Sequence, residues 1–126
     1  VGLVLGSCLR RAIGSEPFVE RFGSALVPMD EALVLAAIDI SGRGFASVDP
    51  ALCEGAVRDF QSSLVKEFFV AFARKAEITL HVRVLSAGNV HHTLEAAFKA
   101  VGRSLREALK EKDLGLPPST KGTTGG

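Results

Sequence analysis

Between Glu77 and Glu111 the apolar period changes once, from two to about 3.6, and that change constrains the fold more than any other feature. Ile78, Leu80, Val82 and Val84 alternate with Thr79, His81 and Arg83, the pattern of a strand buried on one face. Gly88 interrupts it, and Asn89 suits the N-cap of a helix over roughly 90–111. That helix opens Asn89-Val90-His91-His92-Thr93-Leu94-Glu95. His91, Glu95 and Lys99 stand at i, i+4 and i+8, nearly in line, and His92 and Glu95 are i, i+3 neighbours. Consecutive side chains on a helix diverge by about 100°. The two imidazoles therefore suit two separate metal ions better than one. Mixed imidazole and carboxylate donors suit manganese, iron or zinc. A polar, solvent-facing helix start is the ordinary alternative for the same residues.

The rest of the chain supplies a layer for this helix. Residues 1–13 form an apolar helical pattern stopped by Gly14, with no N-cap or targeting sequence before it. Residues 18–27 read as a strand closed by Pro28-Met29-Asp30. Residues 32–40 read as a buried strand ended by Ser41-Gly42-Arg43-Gly44, and 45–48 as a short strand broken by Asp49-Pro50. Residues 61–76 form the clearest amphipathic helix, with Leu64, Val65, Phe68, Phe69 and Phe72 on one face. The expected fold class is α/β (α+β), helices packed on a mostly antiparallel sheet. Residues 1–126 read as a single domain, with 123–126 as a flexible tail.

Composition excludes several functions. The formal charge of +1 makes no electrostatic case for nucleic acid. No apolar run reaches the roughly 18 residues of a membrane helix. Cys8 and Cys53 have no metal-type spacing and read as buried or idle thiols of a cytoplasmic protein. No nucleotide-binding loop or nucleophile elbow is written in the chain.

Further candidates lie away from the histidines. Glu67 stands in the helix before the strand that leads to His91, and is a further candidate ligand or a solvated surface glutamate. Arg43 follows a strand end, where binding residues gather, or is a turn charge. Arg21 is a candidate or a strand-surface cation. Ser119, Thr120 and Lys121, before Gly122, offer hydroxyls, backbone N–H groups and an ammonium, an oxyanion cradle or a tail.

Six segments occur together in order: Arg21-Phe22-Gly23, residues 27–31 (Val-Pro-Met-Asp-Glu), residues 38–43 (Ile-Asp-Ile-Ser-Gly-Arg), residues 79–83 (Thr-Leu-His-Val-Arg), residues 89–100 and residues 118–122 (Pro-Ser-Thr-Lys-Gly). In these the chain resembles the C-terminal half of the imidazoleglycerol-phosphate dehydratase family, over residues 1 to about 122. The resemblance implies a layer of the ribosomal-protein-S5-domain-2-like type and a preceding, similar half into which helix 1–13 continues. It implies a lyase of histidine biosynthesis that binds two manganese ions and forms a large octahedral homo-oligomer with sites between subunits. His91 and Glu95 would hold one manganese ion, and His92 and Glu67 the other. Arg21, Arg43, Lys99, Ser119, Thr120 and Lys121 would bind the small phosphate substrate. The general base would be a glutamate of the preceding half, so the isolated chain is not expected to turn over. The alternative is a non-catalytic metal-binding or assembly module of the same fold.

Overall fold

The computed structural model describes residues 1–14, 18–52 and 60–112. They form α1 (Gly2–Ile13), β1 (Phe22–Met29), β2 (Ala32–Asp39), β3 (Phe45–Val48), α2 (Phe60–Ala76), β4 (Thr79–Ser86) and α3 (Val90–Ala108). The strands make one sheet in the order β1-β2-β4-β3. The β1–β2 and β2–β4 pairs are antiparallel, and β3–β4 is parallel. The parallel pair follows from connectivity, because α2 carries the chain from β3 back to β4 as a crossover.

Alternation decides which face is covered. Ala32, Val34, Ala36 and Ile38 of β2 are buried, and Val34, Ala36 and Ile38 form one core with Leu80 and Val82 of β4 and Phe69, Ala73, Ala96, Ala97 and Ala100 of the helices. α3 lies across β1 and β2, α2 lies against β3, and α1 packs on α2. The buried Ser104 hydroxyl ties α3 to the sheet, 3.1 Å from the Ala36 carbonyl and 2.7 Å from that of Ala100. On the other face, Phe22, Leu26 and Phe45 are exposed. The His81 ring lies 5.8 Å from that of Phe45.

Three boundaries differ from the sequence reading, each for a physical reason. The first strand begins at Phe22 rather than Phe18. Arg21 takes φ 82 and donates its N–H to the Ala108 carbonyl, so residues 18–20 leave the sheet edge. Pro28 belongs to β1 because that strand is an edge, where a missing N–H leaves no partner unbonded. The last helix stops at Ala108 because the Ala108 and Lys110 carbonyls accept N–H groups of Arg21 and Glu20. The apolar stripe of α2 is also narrower than expected: Phe69 and Phe72 are buried, but Leu64 is exposed. Cys8 is exposed on α1, not buried, and Cys53 lies outside the described residues.

α1 and α2 approach closely because α1 turns glycines toward α2. A Cβ on Gly6 would stand 2.6 Å from the Phe72 carbonyl oxygen and 2.8 Å from Lys75 Cβ. Gly102 of α3 faces open space. Gly→Ala in a helix gains up to about 1 kcal/mol of propensity, whereas overpacking costs about 1–3 kcal/mol. Gly102→Ala should therefore raise the melting temperature and Gly6→Ala lower it, as thermal denaturation followed by circular dichroism would show. Equal shifts in the two variants would contradict this packing.

Candidate functional site

The start of α3 is held from three sides. Asn89 is the N-cap, and its side chain accepts the His92 N–H at 2.9 Å. The Gly88 N–H donates to the buried Thr93 hydroxyl at 3.0 Å. From the β1–β2 hairpin tip, Glu31 Oε2 accepts the Asn89 N–H at 3.0 Å, and Glu31 Oε1 lies 2.6 Å from His92 Nδ1. The Ser86 hydroxyl donates to the Glu31 carbonyl at 2.9 Å. Gly88 makes room for this: a Cβ there would overlap the Glu31 carboxylate.

The electrostatics follow the contacts. Hydrogen bonds from His92 and then from the Asn89 N–H hold the Glu31 carboxyl down to about 2. The hydrogen bond to Glu31 raises His92 above its ordinary value, against desolvation and helped by the charges of Glu31, Asp30 and Glu95. Asp30 Oδ2 stands 3.6 Å from His92 Nε2. Asp30, Glu31 and His92 form the one group of three or more such ligand atoms, all within 4.8 Å, among the described residues.

The expected stripe along α3 is present. His91 is exposed on the first turn, and Lys99 Nζ lies 3.1 Å from Glu95 Oε1. Glu67 is exposed on α2 and borders a groove with Phe68, Leu64, Val1 and Phe98. It joins no three-membered donor group among the described residues. Ser119, Thr120 and Lys121 lie outside the described residues.

The arginines stand elsewhere. Arg21 precedes β1 and forks onto Asp39, with Nε 2.7 Å from Oδ1 and Nη2 3.4 Å from Oδ2. Asp39 raises the Arg21 pKa, and the guanidinium lies 5.1 Å from the Phe22 ring centroid. Arg43 is in the loop after β2, where its N–H donates to Ser41 Oγ at 3.1 Å and Ser41 Oγ meets Thr79 Oγ1 at 2.9 Å. Both arginines lie at the end of β1 and β2 opposite the hairpin tip. Eight residues of strand separate the ends, roughly 26 Å. The chain thus brings Glu31 and Asp30 to His92 but does not bring Arg21 and Arg43 to the histidines.

Sequence reasoning left Asp30 and Glu31 without a role. The signal was there: two acids between the expected strands 18–27 and 32–40 form a hairpin tip. Pairing β2 with β4 carries that tip to the β4–α3 break, since Leu33 lies opposite Ser86. Asp39 as the partner of Arg21 depends on Phe22 pairing with Asp39, which only the register reveals.

The sequence and fold of this chain match one family of known proteins. The family model of imidazoleglycerol-phosphate dehydratase matches residues 1–105. Imidazoleglycerol-phosphate dehydratases of Desulforamulus reducens and of Bacillus cereus are each 50% identical over 123 residues, covering 97% of this chain and 63% of theirs. The crystal structure of the Staphylococcus aureus enzyme superposes with a TM-score of 0.80 at 39% identity, over 88% of this chain and 65% of that one. That of the Pyrococcus furiosus enzyme, in complex with (S)-C348, gives 0.76 at 41% identity, over 98% and 67%. The chain belongs to the imidazoleglycerol-phosphate dehydratase family. It spans about 63% of the length of these curated relatives.

The Glu31–His92 contact predicts a pH dependence. Glu31 lies below its ordinary value, so its contribution is complete above the ordinary carboxylate range and is lost as pH falls toward about 2. His92 lies above its ordinary value, so its contribution is complete below about 6.5 and is lost as pH rises through the raised value. In the metal-free protein, Glu31→Gln should lower stability most at about pH 5–6, with the gap narrowing at alkaline pH. Denaturant titrations across pH check this, and a gap independent of pH would contradict the coupling.

Proposed function

We propose that the protein carrying this chain dehydrates imidazoleglycerol phosphate to imidazole-acetol phosphate in histidine biosynthesis. The observation that supports this most is the fixed His91-His92 helix start in a chain of this family. The chain represents the C-terminal half of the enzyme, and the preceding half supplies the remaining metal ligands and a glutamate as general base. Membership of a biosynthetic enzyme family supports a cytoplasmic location. No described helix is long and apolar enough to cross a membrane.

The donor set suits manganese. His91 and Glu95 offer an imidazole and a carboxylate one turn apart and both exposed, and Glu67 offers an exposed carboxylate on α2. With Nδ1 against Glu31, His92 keeps Nε2 on the side away from that carboxylate, where Asp30 Oδ2 lies 3.6 Å off and a metal could bind, the usual arrangement of a metal-bound imidazole with a carboxylate behind it. His91 and Glu95 would hold one ion, and His92 and Glu67 the other. Bound manganese supplies a positive charge that stabilises the anion left as a weakly acidic C–H proton departs.

The chain's own residues bind and orient. Guanidinium forks suit the substrate phosphate, and Arg21 is held ready for one by its carboxylate partner. Lys99, Ser119, Thr120 and Lys121 add charge and hydroxyl donors. The substrate loses a carbon-bound proton and a hydroxyl group, together one water. The resulting enol tautomerises to the ketone. Since Arg21 and Arg43 stand far from His91 and His92 within one copy, the site is completed by a second copy in a homo-oligomer of octahedral type. Phe22, Leu26 and Phe45, exposed on the sheet face that no described helix covers, support such assembly.

The full-length protein should turn over imidazoleglycerol phosphate, lose turnover on chelation and regain it with manganese. His91→Ala should lower kcat/KM on the order of a hundredfold or more, since a metal contributes several kcal/mol of charge stabilisation. Full turnover after complete metal removal would overturn the manganese assignment, and no turnover with added manganese would overturn the dehydratase reading.

A further inference from the structure

We propose that Glu31 is the positioning residue for His92: it fixes which imidazole nitrogen faces the metal, and Gly88 exists to admit it. The inference rests on the metal reading above and adds to it a residue that coordinates nothing.

The two oxygens of the Glu31 carboxylate have different partners. Oε1 is 2.6 Å from His92 Nδ1, and Oε2 accepts the Asn89 N–H at 3.0 Å. A carboxylate is acceptor-only, so Nδ1 must carry the proton between them. In the neutral ring that leaves Nε2 bare, the tautomer a metal requires. The second oxygen fastens the same carboxylate to the N-cap residue, so carboxylate and helix start move together. The backbone of Glu31 is itself anchored by the Ser86 hydroxyl at 2.9 Å.

Direct ligation by Glu31 is the competing use of the same group. The geometry opposes it, because both oxygens already have N–H partners and the nearer one sits on Nδ1. Asp30 differs. It lies on the Nε2 side, 3.6 Å away, with its side chain 77% exposed, and holds neither Nδ1 nor the N-cap. Asp30→Asn therefore removes a neighbouring charge without touching the positioning contact. Gly88 gives an independent handle. A methyl group there would overlap the end of the flexible Glu31 side chain rather than backbone. Gly88→Ala should displace the carboxylate while the fold survives.

The test uses full-length protein in two readouts. The first is the 15N spectrum of histidine-labelled, metal-free protein at alkaline pH, with the His92 signals assigned by their loss in His92→Asn. The wild type and Asp30→Asn should show the Nδ1–H tautomer, and Glu31→Ala and Gly88→Ala should shift toward Nε2–H. The second is manganese binding followed by electron paramagnetic resonance. Loss of a carboxylate behind a metal-bound histidine weakens binding about 10–100-fold. Glu31→Ala and Gly88→Ala should weaken one class of site by that factor and leave the His91 class unchanged, with Asp30→Asn near wild type. An unchanged tautomer, or both classes weakened alike, would overturn the proposal. Absence of manganese binding by the wild type would overturn the metal reading, while the tautomer experiment would still decide the role of Glu31.

Discussion

The antiparallel pairing of β2 with β4 decides where every candidate group can stand. It carries the β1–β2 hairpin tip to the break between β4 and α3, with Leu33 opposite Ser86. The register shifts between Leu33 and Val34, so β4 has an extra residue near that break. Bulges of this kind increase local twist and re-aim side chains next to active sites. The acids of the tip then meet the first turn of α3. Without this pairing Glu31 would be an exposed turn acid and His92 an untethered imidazole.

The same pairing imposes a separation. The length of strand that brings Glu31 to His92 sends Arg21, Asp39 and Arg43 to the far end of the sheet. Each end is locally finished. One has an imidazole backed by a carboxylate, and the other a guanidinium oriented by a carboxylate and an aromatic ring. Among the described residues, neither end combines paired imidazoles with an arginine fork. A small ligand cannot span roughly 26 Å of strand. Two half-sites of opposite chemistry at opposite ends of one layer suit repetition, where one copy's arginines meet another's histidines.

The sequence made the period switch at residues 78–98 legible because alternation and helical spacing are local, and the Asn89 cap followed from the same stretch. Gly14, Gly42 and Asp49-Pro50 marked element ends for equally local reasons. The start of β1 was not legible. Arg21 leaves the strand because its N–H is claimed by Ala108, 87 positions later. The His-His start showed itself as a donor pair, but its partner Glu31 is 61 residues earlier and is reached only through strand register. The apolar face of α2 is narrower than its spacing implies because periodicity gives a direction and packing sets the width, as exposed Leu64 shows.

The most direct measurement is complementation between copies. Arg21→Ala and His91→Ala variants of the full-length protein would be purified separately, each inactive alone, then unfolded and refolded together and assayed for dehydration. Mixed assemblies should regain activity, because sites form that combine an intact arginine end from one copy with an intact histidine end from another. Mixed assemblies that stay inactive at every ratio would contradict it.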